Sequence, residues 1–268
     1  MRRRRGPLAL ANTLGAYVTA QGYDRRVADE SYDVMVIGTS QGGRFLPIDL
    51  AKAGRKVALV ERGHLGGVCV NSGCTLTKTM VASARAAHQA RRGAEYGVRT
   101  GPVSVDLAAV RERRRAICRT AGRGRSARRR SSSTPLRTNL LGQGKVGTRD
   151  RLVPYTVFID PQLGRVGMTE RQAAEQNRSV RVAKLPMSAV IRALETGETR
   201  GFMKAVIDAD TQQILGAAVL GVEGGEIMTI IQVAMLGELP YTAMANAVFT
   251  HRLLAEGLNS LFMSLDAQ

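Results

Sequence analysis

Cys69 and Cys74 are separated by four residues in Gly66-Gly67-Val68-Cys69-Val70-Asn71-Ser72-Gly73-Cys74-Thr75-Leu76-Thr77-Lys78. Two thiols so spaced can exchange two electrons as a dithiol and a disulfide, or they can serve as a structural or metal-binding pair. Disulfide-bonded Cα atoms sit roughly 4.4–6.8 Å apart, whereas five steps of regular helix advance about 7.5 Å. A bridged pair therefore excludes regular helix between the two, and Gly73 permits the irregular turn. Zinc is the less favoured alternative, because it wants four ligands and only Cys118 and three histidines, His64, His88 and His251, remain to supply them.

The residues upstream supply a frame for the pair. Asp33-Val34-Met35-Val36-Ile37 is a short apolar run ending at Gly38-Thr39-Ser40-Gln41-Gly42-Gly43, and after a helix-like segment Lys56-Val57-Ala58-Leu59-Val60 ends on Glu61. This reads strand, glycine turn, helix, strand. In such a unit the helix N-terminus receives a pyrophosphate, and an acidic residue about 20 positions past the turn accepts from ribose hydroxyls, the place Glu61 occupies. An ordinary tight turn at Gly38 and Gly43 would leave that carboxylate unexplained. Ser40 stands where a second glycine normally lets backbone approach the phosphates. Pro47 falls inside the helix, which predicts a kink unless it lies in the first turn.

The cysteine segment and the glycine unit, in this order, resemble the FAD-dependent pyridine nucleotide–disulfide oxidoreductases of the mercuric-reductase-like and dihydrolipoyl-dehydrogenase-like kind. The resemblance implies FAD as cofactor, held through Gly38, Ser40, Gly43, Glu61, Gly67, Val68 and Lys78. It further implies that Cys69 meets the substrate, that Cys74 lies against the flavin and that Lys78 places a positive charge near the ring. A helix start beside the sulfurs favours the thiolate.

A second resemblance to the same family begins at Val153. Val153-Pro154-Tyr155-Thr156-Val157-Phe158-Ile159-Asp160-Pro161-Gln162-Leu163-Gly164-Arg165-Val166-Gly167 is similar to the opening of its dimerisation domain, and the likeness runs on to Phe262. Val180–Leu185, Phe202–Ile207 and Ile214–Leu220 have the β-branched content of strands, with Asp208-Ala209-Asp210-Thr211 as a turn between the last two. From Glu226 to Gly237, Ile227, Ile230, Ile231, Ala234 and Met235 recur at helical spacing and predict one buried face. Phe249-Thr250-His251-Arg252-Leu253-Leu254-Ala255-Glu256 resembles the segment that carries the family's catalytic base. By that resemblance His251 exchanges a proton with the substrate-facing sulfur of a partner copy, and Glu256 orients its ring. The alternative is a surface histidine capping a helix. The family usually has Pro-Thr after this histidine, often through a cis bond. Arg252 and Leu253 stand here instead, and a non-proline cis peptide costs roughly 2.5–4 kcal/mol, so a trans bond and a displaced His251 are expected. His64 and His88 match no family position with chemistry.

The expected fold class is an α/β, Rossmann-like partial FAD-binding domain followed by an α+β dimerisation domain. Residues 1–31 read as a basic extension, 32–117 as the partial FAD domain with the redox cysteines, 118–150 as an Arg/Ser-rich junction and 151–268 as the dimerisation domain. By the resemblance, NAD(P)H is the electron donor, yet no second glycine turn appears and Leu136-Arg137-Thr138-Asn139-Leu140-Leu141 already reads as the lead-in to dimerisation. On the order of 100–200 residues, the nicotinamide domain among them, are missing at the junction. The Arg/Ser/Gly text between Cys118 and Pro135 cannot bury apolar surface and predicts disorder or loose attachment. It has the residue mix of a high-GC reading frame shifted or joined across a deletion.

The chain has 268 residues, 44% of them hydrophobic, and a formal net charge of +17 concentrated in the first five residues and in the junction. Nucleic acid is a poor match for that charge, since no aromatics interleave the arginines and no zinc finger or helix-turn-helix appears. The first twenty residues imitate a secretory signal only faintly, because Asn12, Thr13, Gly15 and Tyr17 break the apolar stretch. No run of 18 apolar residues occurs, which argues against a membrane span, and cycling thiols suit a cytoplasmic setting. The functional expectation is a homodimeric disulfide oxidoreductase moving electrons from NAD(P)H through FAD and Cys69/Cys74 to a small-molecule disulfide, dithiol or metal ion. The alternatives are a noncatalytic remnant that dimerises, and a basic nucleic-acid-binding protein.

Overall fold

The computed structural model describes residues 16–19, 31–40, 42–43, 45–123, 134–148 and 151–266, with 16–19 and 119–123 as backbone only. The chain divides into two units, Met1–Thr148 and Arg149–Gln268. The arginine run at Met1–Arg5 and the centre of the junction at 124–133 lie outside the described residues.

In the first unit, strand β1 (Ala16–Thr19) precedes β2 (Val34–Ile37), helix α1 (Leu46–Lys52) and β3 (Val57–Glu61), and the strands form a parallel sheet in the order β1-β3-β2. The β2-turn-α1-β3 path is the crossover that the apolar runs and the glycine turn call for. Its register sets Val34 beside Val57 and Val36 beside Leu59. Alternation along β2 sends Val34 and Val36 into a core with Leu46, Leu50, Val57 and Leu59. Met35 and Ile37, on the other face, are 61% and 80% exposed. Pro47 lies in the first turn of α1 and is buried. There its missing N–H would have had no intrahelical partner, so the expected kink does not arise.

Two of the expected segments carry regular structure. The 1–31 extension contributes a strand, because Ala16–Thr19 pairs in parallel with Ala58–Glu61 and completes the sheet on the open side of β3. The junction is helical at both ends. After α2 (Gly67–Asn71) and α3 (Cys74–Arg91), helix α4 (Leu107–Arg123) packs on α3 and runs into the arginine-rich text. Arginine is a strong helix former and simply prolongs it. Helix α5 (Thr134–Leu140) contacts α1, and Leu141 joins the core of the first unit, so the stretch read as a lead-in to dimerisation belongs with the sheet before it.

The second unit holds β4 (Tyr155–Val157), β5 (Gln162–Gly167), α6 (Glu170–Glu175), β6 (Val180–Pro186), α7 (Ile191–Glu195), β7 (Phe202–Asp208), β8 (Ile214–Gly221), α8 (Gly224–Leu236), α9 (Tyr241–Asn246) and α10 (Gly257–Met263). Its antiparallel sheet runs β4-β5-β8-β7-β6. The three β-branched runs form the strands expected of them, and Asp208 closes the turn by accepting from the Asp210 and Thr211 amides. Helix α8 packs on β5 and β8, with Ile227, Met228, Ile231 and Ala234 buried, while α10 adds Leu258, Leu261 and Phe262 over β6 and β7. Close approach of α8 needs Gly164, since a Cβ there would lie 2.4 Å from the Gly224 carbonyl oxygen. Among the described residues no helix is long and apolar enough to cross a membrane.

Candidate functional site

The expected site residues fall into two groups, one in each unit. In the first unit the organising side chain is Thr39, which is 1% exposed. Its amide and its Oγ1 donate to Glu61 Oε2 at 2.8 and 2.5 Å, and Oγ1 accepts from the Gly66 amide at 2.9 Å. One hydroxyl thus ties the glycine turn, the end of β3 and the Gly66-Gly67 pair that leads into the cysteines. Glu61 Oε1 accepts from the Gly63 amide. The Thr39 hydroxyl first, and the Gly63 amide next, hold the Glu61 carboxyl below its usual range.

The turn itself is built on close approach. A Cβ on Gly43 would stand 2.1 Å from the Gly38 carbonyl oxygen, and Gly38 has φ +92° with open space beyond it. Ser40 is exposed and packs against Gly67, where a Cβ would meet the serine Cβ at 2.8 Å. These residues fit a dinucleotide. Space lies over Gly38 and Gly42, and the Glu61 carboxylate stands at the end of β3, where the motif places the acceptor for a ribose hydroxyl.

Cys69 is half-buried within α2, and exposed Cys74 opens α3. Between them the Ser72 and Gly73 amides both return to the Val68 carbonyl, at 3.0 and 2.6 Å, so α2 ends in a tight turn and regular helix is interrupted before α3 begins. The two cysteines are not joined by a disulfide. Asn71 Nδ2 donates to the His64 and Leu65 carbonyls and pins the loop ahead of Gly66. Lys78 follows Cys74 by one helical turn and shares its face, and Val68 is exposed. His88 sits in the last turn of α3. Among the described residues no group of three or more His, Cys, Asp or Glu could hold a metal ion.

In the second unit His251 Nδ1 lies 2.9 Å from Glu256 Oε1. The His251–Arg252 peptide is cis, which overturns the expected trans bond. Arg252 is not a passive replacement. Its Nε donates to His251 Nε2 at 2.9 Å and its Nη1 to Glu195 Oε1 at 2.6 Å, while Arg192 Nη1 takes Glu195 Oε2 at 3.1 Å. Arg252, and then Arg192, keep the Glu195 carboxyl below its usual range. Asn259 Nδ2 donates to the carbonyls of Met244, Ala245 and Ala247 and so anchors the strand-like run leading to His251. Thr39, Glu195 and Asn259 escaped the sequence reading. Each acts through at least one partner that only the fold brings near.

The family model described as pyridine nucleotide-disulphide oxidoreductase matches residues 32–151, and that of the pyridine nucleotide-disulphide oxidoreductase dimerisation domain matches 153–261. The chain is similar to the probable pyridine nucleotide-disulfide oxidoreductase RclA of Escherichia coli (strain K12), 45% identical over 128 residues, or 47% of this chain and 29% of that protein. Mercuric reductase of Staphylococcus aureus is 33% identical over 128 residues, 48% of this chain and 23% of its own length. Dihydrolipoyl dehydrogenase of Chlorobaculum parvum is 41% identical over 93 residues, 35% of this chain and 20% of its own. The matched stretches thus span less than a third of each of these relatives. The solved HOCl-induced flavoprotein disulfide reductase RclA from E. coli shares the fold, with a TM-score of 0.66 at 22% identity over 87% of this chain and 99% of that one.

Proposed function

The chain belongs to the pyridine nucleotide–disulphide oxidoreductase family, whose members depend on FAD and usually take NAD(P)H as partner substrate, and from that premise we propose that it reduces a small-molecule disulfide through Cys69 and Cys74. The helix break at Ser72-Gly73, which sets one cysteine in α2 and the other at the head of α3, is the observation that carries this reading. FAD, when bound, supplies the two electrons that return the cysteines to dithiols. Gly38, Ser40, Gly43 and Glu61 would hold its adenosine and phosphate end, and Gly67, Val68 and Lys78 its ring end.

The Cys69 thiolate attacks one sulfur of the substrate disulfide and forms a mixed disulfide, releasing the other sulfur as a thiolate. His251 of a partner copy, paired with Glu256 and holding the proton it took from the Cys69 thiol, gives that proton to the released thiolate. Cys74 then attacks the Cys69 sulfur, its own proton passing to the imidazole, so that a second thiol leaves and Cys69–Cys74 remains as the disulfide. Because His251 is supplied in trans, the working form is a homodimer, and cycling thiols suit a cytoplasmic setting. A metal ion bound by the dithiol is the alternative substrate.

The absence of a second glycine turn between Ile117 and Leu136 favours a second reading, a dimer without NAD(P)H-dependent turnover. The visible spectrum of the purified chain separates the two. Bound flavin bleached by NADH or NADPH is expected of the enzyme, whereas flavin bleached only by an added dithiol leaves the disulfide chemistry without the nicotinamide step. A chain with no flavin, and with dithiol reactivity unchanged in Cys69→Ser and Cys74→Ser, would defeat the proposal.

A further inference from the structure

We propose that Arg252 is a positioning residue that covers the Nε2 lone pair of His251, whose tautomer Glu256 sets, until a carboxylate on the substrate draws the guanidinium away. This rests on the reading of His251 as the proton carrier. A guanidinium has five N–H donors, no acceptor, and stays charged. With Arg252 Nε donating to it at 2.9 Å, His251 Nε2 must offer its lone pair and carry no proton. The ring proton therefore sits on Nδ1 and is donated to Glu256 Oε1. That is the tautomer a base needs, yet the lone pair that would take the proton is occupied.

What holds the cover is equally defined. Arg252 Nη1 is fastened to Glu195 at the end of α7, and Arg192 one turn earlier holds the other carboxylate oxygen. The arm is open to solvent, with the Arg252 side chain 46% and the His251 side chain 63% exposed. Exposed ion pairs of this kind are weakly held, so a competing carboxylate displaces the guanidinium at small cost. Arg252 already shows a preference for that partner in its bond to Glu195, and a planar fork suits a carboxylate better than a neutral amide. The substrate class this selects is a disulfide with a carboxylate within reach of its sulfurs.

The test is nitrogen-15 NMR of the full chain labelled at histidine, with His251→Gln used to assign the signals against His64 and His88. In the wild type His251 is expected almost wholly as the Nδ1–H form. Arg252→Ala should keep that form, because Glu256 still accepts the Nδ1 proton, and should move the Nε2 signal as its lone pair loses its donor. Glu195→Gln should move that signal part of the way by loosening the arm, and Arg252→Lys should restore much of its wild-type position. Lipoate should shift the wild-type signal and leave Arg252→Ala unmoved, while lipoamide, its neutral amide, should shift neither. A wild type protonated on Nε2, or an Arg252→Ala spectrum unchanged from wild type, would overturn the positioning role. Equal effects of lipoate and lipoamide, none included, would overturn the carboxylate selection. None of these readouts needs turnover, so a chain inactive toward NAD(P)H with the expected tautomer pattern defeats the enzyme reading alone.

Discussion

Replacing Thr39 with valine keeps the shape of a buried side chain and removes only its hydroxyl. Two bonds go with it, the donation to Glu61 Oε2 and the acceptance from the Gly66 amide. A hydrogen bond to a charged group contributes about 1.5–3 kcal/mol, and a buried N–H left without a partner costs about 1–3 kcal/mol. The Thr39 amide still reaches Glu61 and water has access to the half-buried carboxylate, so the lower part of each range applies. The first unit should lose about 2–4 kcal/mol, which is roughly a 30- to 1000-fold rise in the opening equilibrium. Hydrogen exchange read by peptide mass spectrometry would report it as faster exchange across Val34–Ile37, Val57–Glu61 and Gly66. Peptides from β6 and β7 should keep their wild-type rates, and Thr39→Ser should recover most of the protection. Exchange in the first unit within threefold of wild type would refute the argument that this hydroxyl joins the turn, the strand and the cysteine loop.

The same pair predicts a pH dependence. Glu61 titrates below its usual value near 4.5 in the folded chain, so its contribution is complete above the unfolded value and is lost as pH falls through the folded one. In urea titrations at a series of pH values, the stability gap between wild type and Thr39→Val should be widest above about pH 4.5 and narrow below it. Gly164→Ala should cost several kcal/mol in the second unit, because α8 must back away from β5 or the Gly224 carbonyl must shift. Circular dichroism against temperature would show the lowered transition. Asn259→Ala should free the run through Val248, whose side chain is fully exposed, and speed limited proteolysis there several-fold while the sheet peptides stay protected.

The legible parts of the fold were those with local repetition. The runs at β6, β7 and β8 have β-branched content and a turn of Asp and Thr between two of them, and the isoleucines of α8 repeat at helical spacing. Strand β1 was not legible. Ala16-Tyr17-Val18-Thr19 is short, lies among polar residues, and is a strand only because β3 has a free side some forty residues on. At the site, the helix break between the cysteines and the Glu61 position could be read because glycines and an acidic residue sit at fixed offsets. Thr39 occupies a position of the glycine turn where the pattern accepts any residue. Arg252 was read as a disturbance, because its partner Glu195 lies 57 positions away.

Among the described residues strand β2 is also one rim of the parallel sheet, and it turns two bare apolar side chains, Met35 and Ile37, outward. Rims of this sort recruit other rims. In the test tube the practical variable becomes concentration, with stored samples drifting into light-scattering clusters at loads where a fully edged protein stays clear. Placing a lysine at Ile37 should delay that clouding without touching the core, since its neighbours Val34 and Val36 face the other way.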